Sequence, residues 1–160
     1  MSLSSRKTEI LEQVSATHLL LEAHLSALSE AQMLQPGVNG QWTVKDVLAH
    51  VTWWEQHLLH RLKTGQDNLF QEGISMQAAT DRANESIYAA NRSRPLAEIL
   101  EEFQASYQQV LTALEALSEE DVSQAEIYDI IAWDTFRHYP EHTAMLQSWM
   151  ASGASRAGDN

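Results

Sequence analysis

The chain has 160 residues, a length suited to one domain. With 10 Lys plus Arg against 22 Asp plus Glu, its formal charge of −12 argues against nucleic acid and anionic membranes as partners, because both call for clustered basic side chains. It has no Cys, which excludes disulfides, thiolate-bound zinc or iron–sulfur centres and a thiol nucleophile of its own, and leaves a reducing cytoplasm as the simplest compartment.

Hydrophobic residues make up 44% of the chain, the range of a folded protein and not of a disordered one. No apolar run approaches the ~20 residues a membrane span needs. Alternating strand-like runs are absent, and helical spacing dominates. The first helix runs from about Ser5 to Leu28, with Ile10, Val14, Leu21, Leu25 and Leu28 on one stripe. Pro36, Gly37 and Gly40 mark a loop, with a short turn beginning at Ser29. Thr43 is a good N-cap for the second helix, with Asp46 three residues on, and Gly65 is its stop. Gln66 to Gly73 form a connection that covers distance, and helical spacing resumes from Ile74 to Asn91. Arg94-Pro95 breaks it and places Pro95 in the first turn of the next helix, whose stripe runs from Leu96 to Leu117. The last helix begins between Ala125 and Ile130 and continues to about Met150, with Pro140 inside it at a cost of ~3 kcal/mol unless the chain bends there. The expected architecture is all-α: a four-helix bundle with a long, partly helical connection between helices two and three. It forms one domain, 1–151, followed by a disordered tail, 152–160.

His138 and His142 stand four residues apart, so one helical face would carry both imidazoles. Seven histidines in a chain of this length give about 0.3 such pairs by chance, so the spacing alone does not settle a metal site. Asp134 lies a further turn back and could orient a ligating ring, or it is a solvated helix carboxylate. A third ligand is needed, and His50 suits best, at the inner edge of the second helix; a core-edge histidine bonded to a carbonyl is the plainer alternative. His57 lies two turns from His50, too far to share a ligand sphere, and His18 and His24 read as structural. Residues 138–142, HYPEH, also match the H-x-x-E-H pattern that would make Glu141 a general base, but the pattern is short and a proline-containing helix end is poor context for it.

Two stretches resemble a known family. GQWTVKDVLAHVTWWEQHLL, residues 40–59, is similar to the second-helix signature of the DinB/YfiT-like superfamily, and TFRHYPEHTAMLQSW, residues 135–149, is similar to its last helix. The segment from Ala83-Asn84-Glu85 to Arg94-Pro95-Leu96 resembles the ClbS/DfsB branch. The resemblance implies a four-helix bundle, frequent homodimers, and a divalent ion (nickel, zinc or iron) held by three His, here His50, His138 and His142. The activities it implies are thiol-dependent S-transfer or isomerisation with a low-molecular-weight thiol, and hydrolytic detoxification of a reactive small molecule. Glu55 and Asp134 are the candidate proton-handling groups, with a solvated carboxylate as the plainer role of each, and Trp53, Trp54 and Tyr139 are candidate pocket residues. The alternatives are a non-catalytic bundle that sequesters a small molecule, and a dimeric scaffold with incidental histidines.

Overall fold

The computed structural model describes residues 4–154. Its helices are α1 (Arg6–Ser26), α2 (Glu30–Met33), α3 (Val44–Thr64), α4 (Met76–Asn91), α5 (Leu96–Ala116), α6 (Glu119–Ser123), α7 (Ala125–Asp134) and α8 (Tyr139–Ala151). There is no extended strand among the described residues, and no helix is long and apolar enough to cross a membrane.

Local chemistry sets the helix starts. Ser5 and Ser75 each accept a backbone N–H three residues on, at the heads of α1 and α4. Ser29–Gln32 and Thr43–Asp46 are reciprocal capping boxes that start α2 and α3. Gly65 closes α3 at φ +70, a left-handed geometry that costs glycine no Cβ clash. Pro95 stands one residue before α5, as its fixed φ allows. Ser118–Asp121 is a further capping box, and it starts the short α6, an element without an expected counterpart.

The bundle is α1, α3, α5 and the α7–α8 pair. Its core joins Val47, Leu48, Val51 and Leu58 of α3 to Ile99, Phe103, Val110 and Leu114 of α5. Ile10, Val14 and Leu21 of α1 and Leu146 and Trp149 of α8 complete it. Fully burying each such side chain is worth roughly 1.5–3 kcal/mol, far more than any single cap. Of α4 only Ala79 and Ile87 are buried, so it lies on the outside of α3 as the helical part of the expected long connection. Lys45 ties it down: the buried ammonium donates to the carbonyls of Arg92 and Arg94 at 2.7 and 2.8 Å, closing the end of α4.

The last helix differs from expectation, being two helices with a break between them. Thr135 has φ −129, ψ −99, and Arg137 N–H reaches back to the Ala132 carbonyl. His138 caps α8, and Pro140 sits in its first turn. Proline has no N–H to give and its ring crowds the carbonyl four residues back, so the chain breaks upstream and restarts with proline where no donor is required. The tail also divides: Gln35 Nε2 donates to the Ala154 carbonyl at 2.6 Å, whereas 155–160 lie outside the described residues.

Pro140→Ala is expected to change folding stability by less than about 1 kcal/mol in urea titration, the scale of an unfolded-state entropy effect. A gain of ~3 kcal/mol would mean that proline interrupts a continuous helix, contrary to the break at Thr135.

Candidate metal centre

The capping box at Thr43 fixes where α3 begins, and His50 follows almost two turns later on its inner side, 7% exposed. The break at Thr135 aims the head of α8 at the same place, so that His138 stands at its cap and His142 one turn along. The three rings meet through like atoms. His50 Nε2 lies 3.0 Å from His138 Nε2, and His142 Nε2 lies 2.9 Å from it. Four residues of sequence separate His138 from His142, but 88 separate it from His50.

Burial pulls His50 down to about 3, helped by the charge His142 would carry and offset in part by Asn84. Burial likewise lowers His142 to about 4 and takes His138 well below its ordinary value, the latter aided by both neighbours. All three are therefore neutral at pH 7. A neutral imidazole nitrogen is either a donor or an acceptor, so the Nε2 of His138 cannot bond well to both of its neighbours at once. One cation can satisfy all three lone pairs together. With ~2.1 Å metal–nitrogen bonds, nitrogens about 3.0 Å apart subtend about 90°, so the His138 nitrogen would stand at about a right angle to each of the other two, and three ligands leave further positions open. The donor set thus fits a divalent first-row ion. The Nδ1 atoms of the three rings are buried with no hydrogen-bond partner among the described residues.

His50 and His138 form part of the wall of a cavity of about 800 Å³, together with Trp54, Asn84, Asp134 and Trp133. Asn84 of α4 accepts from Trp54 Nε1 at 3.1 Å. Phe70, Met76 and Trp133 line the same cavity yet remain exposed, giving it an apolar rim. Trp42 is carried in on the turn around Gly40 and packs 5.3 Å from the His50 ring.

The other candidates divide. Trp54 and Asp134 line the cavity, and so does exposed Glu141. Trp53 faces a neighbouring depression with Asn68 and Leu69 and stacks on His57. Tyr139 is fully buried, and its hydroxyl donates to Glu55 Oε2 at 2.6 Å. Glu55 has no exposed surface and so is not the solvated carboxylate of the plainer reading; it joins α3 to α8 inside the core. Asp134 is buried too, and its bond goes to His57 rather than along a helical face to His138, because the chain breaks immediately after it. His18 is a core residue, stacked 3.5 Å from Tyr107 and lowered to about 4 by burial. His24 bonds the Leu20 carbonyl in its own helix. Asn84, Arg61 and His57 are cavity residues that spacing did not bring forward; for His57 the only sequence signal was a carboxylate at Asp67 in the following connection.

Burial raises Glu55 to about 7 from an ordinary 4.5, against the opposing hydrogen bonds of Tyr139 and Ser106. The folded state therefore keeps a proton that the unfolded chain releases, and this group's share of stability falls as pH rises from 4.5 to about 7. Glu55→Gln is expected to gain on the parent across that window, by on the order of 2 kcal/mol at its upper end, in urea titrations run at each pH. A difference that does not vary with pH would show that the carboxyl is already ionised inside.

A family model described as the DinB superfamily matches residues 13–145. Solved structures with the same fold include colibactin self-resistance protein ClbS in complex with double-stranded DNA (TM-score 0.78, 16% identity, 94% of this chain and 98% of that one). Another is sibling lethal factor precursor DfsB (TM-score 0.76, 18% identity, the same coverage). No curated protein matches the chain. The ClbS complex corrects the expectation drawn from net charge: this fold occurs bound to a duplex, so −12 does not exclude nucleic acid. Net charge sums over a whole surface, whereas a duplex is met by the local groups of one face.

Proposed function

The chain belongs to the DinB superfamily, and from that premise we propose that it is a divalent-metal-dependent enzyme acting on a reactive small molecule. The reaction is thiol-dependent S-transfer or hydrolytic detoxification. One observation carries the reading: the Nε2 atoms of His50 and His142 lie 3.0 and 2.9 Å from the Nε2 of His138, on rings that burial keeps neutral, at the wall of a roomy cavity. His50, His138 and His142 would hold the ion, which is nickel, zinc or iron. A bound divalent ion lowers the pKa of a water or thiol beside it and so supplies a nucleophile near neutral pH.

The chain's own residues do the rest. Glu55 and Tyr139, bonded across the core, keep α3 and α8 in register and so hold the three rings at their spacing. The exposed aromatic rim at Phe70 and Trp133 receives the apolar body of the substrate, and its burial there excludes water. Asn84, fixed by Trp54, presents an amide to the substrate. Since the chain has no Cys, any thiol must arrive as a cosubstrate. The protein is taken to act in the cytoplasm as a homodimer.

The alternative is sequestration, in which the cavity and its apolar rim hold a small molecule without reacting. Untagged protein exchanged with zinc or nickel and measured by elemental analysis separates the two. About one ion per chain is expected, and His138→Ala should drop it at least 100-fold in affinity while leaving the helical circular dichroism intact. Protein that takes up no ion after soaking would sink the enzyme reading.

A further inference from the structure

The cavity has a second polar pole that the three imidazoles do not account for. His57 stands two turns along α3 from His50 and lines the same wall. Its Nδ1 lies 3.3 Å from Asp134 Oδ2 and its Nε2 lies 3.0 Å from Asp67 Oδ1. With a carboxylate at each nitrogen, the ring makes both bonds only when both nitrogens carry hydrogen. Trp53 lies flat against one face at 5.5 Å, and Trp54 meets it edge-on at 5.2 Å. Three other groups complete the charge environment: Arg61, a turn further on α3, pairs with Asp67 Oδ2 at 3.5 Å and also acts on Asp134; the Leu69 N–H donates to Asp67 Oδ1; and Glu55, in the core, feels the charge of Asp134.

The two carboxylates differ in kind. Asp134 ends α7, is 8% exposed and forms part of the cavity wall. Asp67 belongs to the connection between α3 and α4 and is fastened by a cation and a backbone N–H as well as by the ring. Asp67 is thus the anchor, and Asp134 is the member that a bound molecule can reach.

We infer that His57 is a proton store for the reaction in this cavity, with Asp134 passing its proton to and from the substrate and Asp67 as the positioning residue. The inference rests on the proposed function above. In the forward step the Nδ1–H bond of His57 breaks and its electron pair stays on the nitrogen. The proton passes through Asp134 to the leaving atom of the electrophile, which uses the electron pair freed by the bond it has just lost. The S–H or O–H bond of the nucleophile also breaks, its electron pair forms the new S–C or O–C bond to the electrophilic carbon as the leaving atom departs, and the proton returns through Asp134 to Nδ1. Reactants and products then balance with no outside acid, and the pair ends as it began. The ring is suited to this: burial alone would lower its proton affinity, but Asp134 and Asp67 together raise it above an ordinary histidine. Burial also raises Asp134, making it a better acceptor than a surface aspartate.

Two measurements test this. In the metal-free protein, side-chain nitrogen NMR should find His57 protonated on both nitrogens at pH 7, and Asp67→Asn should lower its proton affinity at least tenfold; a bare ring nitrogen at pH 7 overturns the store. In zinc- or nickel-loaded protein, the addition of 2-mercaptoethanol to styrene oxide is followed against pH. His57→Gln should slow it about 100-fold at unchanged metal content, and Asp67→Asn should move the alkaline limb to lower pH. Turnover with a pH profile that His57→Gln leaves intact overturns the assignment alone. Metal-loaded parent protein that turns over neither this pair nor the epoxide with water overturns the catalytic reading and, with it, the role given to His57.

Discussion

The Nε2 of His138 is held 3.0 and 2.9 Å from those of His50 and His142, and this is the constraint on which the site is built, because like lone pairs at that distance repel unless a proton or cation is shared. The fold must therefore press α3 and the head of α8 together. It does so with buried apolar contacts on either side of the cluster and with one polar bond, Tyr139 to Glu55, that joins the same two helices. That bond stands next to His138 in sequence, so the backbone segment that carries the ring is fixed by its immediate neighbour.

The electrostatics of the interior follow from the same packing. Burial keeps His18, His50, His138 and His142 uncharged, so acid works against the folded state. Glu55 is protected in its neutral form and acts in the other direction. His57 is the exception among the inner histidines. It lies in the same bundle, but carboxylates on both sides reverse what desolvation would impose. The cavity thus has imidazoles that burial keeps neutral at one pole and, at the other, a ring whose proton affinity its two carboxylates raise.

Much of the architecture was legible in the chain. The capping residues Thr43 and Ser29, the stop at Gly65 and the stripe of α5 are local features, each decided within a turn or two, and each lies where spacing put it. Pro140 was recognised as a local conflict, but the resolution was not local: whether a helix bends or breaks depends on what packs beside it, and here Thr135 gives way so that α8 can face α3. Asp134 shows the consequence. Helical geometry assigns it to the His138 face, and the break turns it to His57 instead.

Composition and periodicity were enough for an all-helical bundle, because amphipathic spacing and caps are properties of short segments. The meeting of His50 with His138 and His142 was readable as an expectation, since the inner edge of one helix and a pair on another have few other places to go. What only tertiary structure decided is which polar side chains end up buried and with whom. Glu55 with Tyr139, Asp134 with His57 and Asn84 with Trp54 are pairs separated by 84, 77 and 30 residues. The energy of each bond depends on the burial that the whole bundle creates, and no stretch of chain contains that information by itself.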